Sequence, residues 1–181
     1  LCPKKLQHNW EQYREGQNSI FETDDFNFQV YFHTDFTEDS VTSDKINFDF
    51  LNNEDPKLIV IDESHNLRND KSIKYRILMD EVLKKSKGDI KVLLLSATPI
   101  NNNFNDVKHQ FSLMVKGDNN GFDETLQIRS LDQTFREIQT EFKRWNNDAA
   151  DSLNSFYERV LHSDFFKLAE NVVVARTRQK I

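Results

Sequence analysis

The sequence predicts an α/β fold: a partial parallel sheet with flanking helices and an added helical hairpin. Three observations carry this. Two short, nearly continuous apolar runs, Lys57-Leu58-Ile59-Val60-Ile61 and Lys91-Val92-Leu93-Leu94-Leu95, read as strands buried on both faces. Between them Tyr75, Leu78, Met79 and Val82 fall on one helical face, which is the order of a parallel β-α-β unit. From Phe104 to Ala169 the apolar spacing is helical, with short polar breaks.

In chain order, Leu6, Trp10 and Tyr13 recur at i, i+4 and i+7, so a short helix follows Pro3. Phe26 to Thr34 alternates apolar and polar through Phe26, Phe28, Val30 and Phe32, which predicts a strand. Thr37 to Ser43 is polar and reads as a loop. The first buried strand, its helix and the second buried strand follow, with Gly88-Asp89 closing the helix. Phe104, Val107, Phe111 and Met114 mark the next helix, with Asn101 to Asn103 supplying its cap. Asn119 to Phe122 is a loop. Leu131, Phe135, Ile138, Phe142 and Trp145 keep helical spacing, as do Leu153, Tyr157, Val160 and Leu161. Ser163 caps a short helix through Ala169, and Val172-Val173-Val174 reads as a last strand. This divides the chain into a sheet lobe over 1–115, a helical insertion over 116–171 and a closing strand with a basic linker over 172–181.

Composition narrows the function. The 181 residues include fifteen Phe, with an aromatic share of 12%, which supports a packed core. The single Cys2 excludes a disulfide framework and a cysteine-rich zinc site. His8, His33, His109 and His162 show no metal-ligand spacing. No apolar run approaches the ~20 residues needed to cross a bilayer, and no basic-then-apolar leader is visible. The expected location is intracellular, cytoplasmic or nucleoid-associated. The chain starts at Leu1 rather than Met, which suggests a piece of a longer protein. Its formal net charge is −6, unlike the usual footprint of a nucleic-acid binder. The acid is uneven, however. Glu22 to Asp55 holds ten Asp or Glu and one Lys, whereas Pro56 to Leu95 holds nine Lys or Arg and six acids. A local basic face can therefore coexist with an acidic surface loop.

Two strand ends carry the chemistry. Asp62-Glu63-Ser64-His65 follows the first buried strand, and Ser96-Ala97-Thr98-Pro99 follows the second. Ligands of open α/β sheets bind at the carboxyl ends of strands. Asp62 there can hold Mg²⁺, and Glu63 can orient or deprotonate an attacking water. A solvated strand end explains either site taken alone. Small hydroxyl residues such as Ser96 and Thr98 can hydrogen-bond a neighbouring carboxylate.

Taken together, apolar-Asp62-Glu63-Ser64-His65 followed by Leu95-Ser96-Ala97-Thr98-Pro99 resembles motifs II and III of superfamily 2 helicase-like ATPases (DEAD/DEAH-box-like). His65-Asn66-Leu67-Arg68-Asn69 and Thr98-Pro99-Ile100-Asn101-Asn102 sharpen the resemblance to the Snf-type DNA translocases. Leu1-Cys2-Pro3-Lys4-Lys5-Leu6-Gln7-His8-Asn9-Trp10 is similar to their motif Ia. Val172 to Ile181 is similar to the basic segment closing the first lobe, with Ala175 where an Arg is usual.

The resemblance implies the first RecA-like lobe of an ATP-driven motor on duplex DNA, cut at motif Ia. Asp62 would place Mg²⁺, Glu63 would activate water and His65 would contact nucleotide or motif III. Ser96 and Thr98 would couple hydrolysis to lobe movement. Lys4, Lys5, Arg68 and Asn101 would touch DNA, and Arg176 and Arg178 would lie at the lobe boundary. A phosphate loop needs Gly-x-x-x-x-Gly-Lys-Ser/Thr, but none of Gly16, Gly88, Gly117 and Gly121 precedes a Lys. ATP and Mg²⁺ are thus expected of the longer protein, and the chain alone is expected to bind them weakly or not at all and to hydrolyse no ATP. Without the phosphate-loop strand its sheet should expose an edge, so the chain is expected either to rearrange or to pair with another copy. The competing reading is a non-catalytic module docking DNA or protein on a degenerate motor fold.

Overall fold

The computed structural model describes residues 1–12, 28–98, 103–148 and 150–175. A 3₁₀ turn Lys4–Leu6 runs into α1 (Gln7–Glu11), and α2 covers Phe48–Asn52. Strand β1 (Lys57–Ile61) is followed by α3, helical from Ile73 and widening to π-type turns over Ile77–Leu83, then by β2 (Ile90–Leu94). The remaining elements are α4 (Phe104–Met114), α5 (Asp123–Leu126), α6 (Leu131–Asn147), α7 (Leu153–Val160) and α8 (Asp164–Val172).

β1 and β2 pair in parallel, with Lys57 opposite Ile90 and Ile61 opposite Leu94. Pairing extends beyond them. The Leu1 nitrogen donates to the Val60 carbonyl oxygen at 2.8 Å, and Asp62 N–H donates to the Leu1 carbonyl oxygen at 2.9 Å. Cys2 in turn bridges Phe32 in parallel. Four segments thus lie side by side in the order 31–33, 1–2, β1, β2, and all point their carboxyl ends to one rim. The mixed α/β architecture is that of a partial RecA-like lobe.

Cross-strand partners share a face, because side chains alternate along each strand. Ile61, Ile90 and Val92 turn inward onto Leu67, Leu78, Val82 and Leu83 of the sheet core. The opposite face is open: Leu58 is 62% exposed and Leu93 45%. Burial on both faces, which the apolar runs predict, is therefore not what the structure shows. Apolar run length reports a strand's affinity for cover, not the cover itself. Gly88 explains the tight return into β2. A Cβ there would lie 2.3 Å from the Asp55 carbonyl oxygen.

A second core joins α4 to the later helices: Val107, Phe111, Phe122, Ile128, Leu131, Phe135, Ile138, Val160 and Leu168. Phe135 is 1% exposed, and its ring lies 5.8 Å from Phe111 and 5.5 Å from Phe165. Met114 packs against both cores. Hydroxyl and amide caps set the helix starts: Asn103, Ser130, Ser152 and Ser163 each accept from a backbone N–H of the first turn.

Three further expectations are corrected. The strand predicted over 26–34 is reduced to the single bridge at Phe32, and positions 26 and 27 lie outside the described residues. The loop predicted over 37–43 contains a 3₁₀ turn, Glu38–Val41, closed by a Thr37–Ser40 capping box. Val172 ends α8 instead of starting a strand; Val173 is extended, with its N–H on the Ala169 carbonyl oxygen, and neither it nor Val174 pairs with a strand, the two being 50% and 85% exposed. Three β-branched residues favour a strand locally, but no partner segment lies beside them among the described residues.

Candidate functional site

The rim of the sheet brings the two strand ends together. Leu95 N–H donates to the Ile61 carbonyl oxygen at 2.9 Å, and Ser64 N–H donates to the Leu95 carbonyl oxygen at 2.8 Å. The acid turn thus stays hydrogen-bonded to the β2 exit, and Asp62, Glu63 and Ser96 sit on adjacent strand ends. Ser96 is half-buried and Thr98 exposed, and the Ser96 hydroxyl accepts from Thr98 N–H at 3.2 Å.

The acid turn itself is tightly specified. Asp62 Oδ1 accepts from Glu63 N–H at 2.9 Å. Glu63 has φ 52° and ψ 49°, the left-handed region that non-glycine residues seldom occupy. Such a conformation persists only where its surroundings hold it, and it recurs at functional sites. Here two holds are visible. Asn66 donates to the Glu63 carbonyl oxygen from its backbone at 3.0 Å and from its side chain at 2.9 Å. The Ser64 hydroxyl, fully buried, donates to Gln110 Oε1 on α4 at 2.8 Å. The reversal aims the Glu63 carboxylate outward, where it is 38% exposed. His65 Nδ1 lies 3.1 Å from Glu63 Oε2 without hydrogen-bond alignment.

Other predicted residues spread around this centre. Lys4 and Lys5 are exposed on the turn that follows Leu1–Cys2, so they leave the sheet at the same rim. Arg68 is half-buried at the end of the 3₁₀ turn Ser64–Leu67. Asn101, Arg176 and Arg178 lie outside the described residues.

Two residues at the rim were not singled out from the sequence. His33 is buried, and its Nε2 lies 2.8 Å from the Asp62 carbonyl oxygen. That distance requires Nε2 to carry the proton, which leaves Nδ1 as a buried nitrogen with no hydrogen-bond partner. Burial lowers the His33 pKa, and the bond to Asp62 opposes that only in part. Nothing in the spacing of His33 signals this, because the contact is made across segments far apart in sequence. Gln110 did carry a signal: it is a polar residue three positions after Val107, on the apolar stripe of α4.

The donor set fits a hard divalent cation in one respect. Asp62 offers a carboxylate at a strand end, and no cluster of three or more His, Cys, Asp or Glu exists among the described residues. Mg²⁺ is commonly held in this way, by one or two carboxylates plus water and phosphate oxygens. A phosphate cradle is not encoded in these 181 residues. A cavity of about 560 Å³ lies elsewhere, lined by Asp123, Gln127, Arg129, Gln133 and Asp164. It shares no residue with the rim and carries none of this chemistry. Among the described residues no helix is long and apolar enough to cross a membrane.

A family model described as the SNF2-related domain matches residues 22–174. No curated protein and no solved structure matches the chain.

Proposed function

Because the chain belongs to the SNF2-related domain family of helicase-like ATPases, we propose that it supplies the acidic rim of a motor coupling ATP hydrolysis to movement on duplex DNA. The observation that carries this reading is the hydrogen-bonded junction of the two strand ends, with Glu63 held in a left-handed turn between them. In it Asp62 holds Mg²⁺ and Glu63 orients or deprotonates the attacking water. His65, beside Glu63, contacts nucleotide or the second strand end. Ser96 and Thr98 pass the state of the acid turn to lobe movement, and Lys4, Lys5, Arg68 and Asn101 contact DNA phosphates. Arg176 and Arg178 mark the lobe boundary. Segment 116–171 is a helical insertion in the lobe of 1–115, and 172–181 leads out of it. The expected setting is cytoplasmic or nucleoid-associated.

Assayed alone, the 181 residues turn over no ATP, since they encode no phosphate loop. Their open apolar face at Leu58 and Leu93 favours self-association. The reading is tested with Mn²⁺ as a paramagnetic substitute for Mg²⁺. The amide resonances of Glu63, Ser64 and Ser96 should broaden on titration, and Asp62→Asn should abolish the effect. Unchanged signals would remove the metal from Asp62. Duplex binding that survived in that case would favour the docking module instead.

A further inference from the structure

Helices α4 and α6 enclose a groove of about 270 Å³ whose walls are cationic in an otherwise acidic chain. Lys108 and Asn105 come from α4; Arg136, Gln139, Thr140 and Lys143 come from α6. The one carboxylate lining it, Asp132, is 2.9 Å from Lys108 Nζ. Neither Arg136 nor Lys143 has an ion-pair partner among the described residues, and both are exposed.

The arrangement follows from helix geometry. Arg136 and Lys143 are seven residues apart, so they point within about 20° of each other and lie about 10.5 Å apart along α6. Apart from Asp132, the acids of α6 occupy another strip. Glu137 accepts from Gln133 Nε2 at 2.8 Å, and Glu141 pairs with Arg159 of α7 at 2.9 Å. Arg136 and Lys143 therefore face the groove with Asp132, while Glu137 and Glu141 face away from it, together with Arg144. Its floor is packed: Phe135 is buried beneath, and Gln139 Oε1 accepts from Phe104 N–H at 3.2 Å. On α4, Gln110 follows Lys108 by two residues and so turns about 200° away from it, toward Ser64. The groove and the acid rim thus lie on opposite sides of one helix.

Resting on the reading of a DNA-acting motor, we propose that this groove is a second nucleic-acid contact, gripping the phosphodiester backbone of duplex DNA. Arg136 offers a planar guanidinium fork suited to phosphate, Lys143 a further positive charge about two turns along the same face, and Asn105, Gln139 and Thr140 flank them as neutral polar groups. Such contacts position the duplex without reading sequence.

Binding of the 181-residue chain to a fluorescently labelled duplex, followed by anisotropy at several salt concentrations, tests this. Each phosphate contact adds close to one unit to the salt slope. The double substitution Arg136→Gln/Lys143→Gln should flatten the slope by about two units. Wild-type affinity then exceeds the variant's by about tenfold more at 50 mM salt than at 200 mM. Glu137→Gln, on the other strip, should not flatten it, and circular dichroism should show both variants folded. An unchanged slope in the double variant overturns the proposal. If Lys4→Gln/Lys5→Gln flattens the slope while Arg136→Gln/Lys143→Gln does not, the groove is wrong and the rim reading stands. Absence of any duplex binding also overturns the groove, whereas Mn²⁺ broadening at the rim reports on Asp62 independently.

Discussion

Ser64 and Gln110 meet in the interior, the Ser64 hydroxyl donating to the Gln110 side-chain oxygen at 2.8 Å. Both residues are buried, at 1% and 4% exposure, and they join the acid turn to the helix that follows the second strand end. Gln110 is further tied to its own helix through its amide, which donates to the Asp106 carbonyl oxygen at 3.1 Å. The acid turn is thus fastened to α4 by a side-chain bond as well as to β2 by a backbone bond.

The bond should show in a mutant cycle. Ser64→Ala leaves a buried acceptor on Gln110 with one partner fewer, a loss of about 1–3 kcal/mol. Gln110→Leu does the same to the Ser64 hydroxyl. The double variant removes both groups, so its loss should fall short of the sum by about 0.5–3 kcal/mol. Urea unfolding of the four proteins measures this, and strict additivity would mean that the two side chains do not interact.

The helical core should depend on its aromatic centre. Phe135 is surrounded by Phe111, Phe165 and buried aliphatic residues, so Phe135→Ala leaves a cavity that the packed helices cannot fill. The expected destabilisation is about 3–5 kcal/mol, read from the urea midpoint at constant slope. Trp145 offers a contrast within the same helix. It is half-buried and stacked on Phe156 at 5.3 Å near the helix end, so Trp145→Ala should cost less.

Much of this was legible in the sequence, for reasons that differ by element. β1 and β2 were placed to within one residue because a short apolar run between polar flanks allows few registers. α4, α6 and α7 were found because Phe111, Phe135, Ile138 and Val160 do face a core, which is what helical periodicity encodes. The short α2 and α5 were missed, since four or five residues cannot display a period. At the site, Asp62, Glu63 and Ser96 were read from their strand-end positions. His33 was not, because its contact with the Asp62 carbonyl is tertiary and leaves no local pattern. The left-handed Glu63 was likewise invisible: neither glycine nor asparagine stands at position 63, and its conformation is held by Asn66 and Ser64.

The open sheet face should govern assembly. Leu58, Leu93 and Leu95 are 62%, 45% and 37% exposed on one side of β1 and β2, and β2 has a strand partner on one edge only among the described residues. Contiguous apolar surface beside a free strand edge favours association. Light scattering of the chain should give a mass above one copy, and Leu93→Lys should shift it toward the monomer. A wild-type monomer across concentration would show that this face is not adhesive.

His33 should make stability depend on pH between about 7 and 5. Burial, aided by Lys74 and the Leu1 amino group, lowers its pKa below the usual value of 6.5, and the bond to the Asp62 carbonyl and the Asp62 carboxylate oppose the shift only in part. The folded protein therefore binds the His33 proton less readily than the unfolded chain. Unfolding takes up that proton, so the stability is fully present above 6.5 and is lost as pH falls through the lowered folded value. His109, also lowered by burial although Asp70 opposes the shift, contributes with the same sign. Asn and Gln side chains can donate where Nε2 does but do not titrate. His33→Gln should thus reduce the loss of unfolding free energy between pH 7 and pH 5, and His33→Gln/His109→Gln should reduce it further. A wild-type profile flat across that range, or one unchanged in His33→Gln, would mean that His33 is solvated and free to take its proton in the folded state.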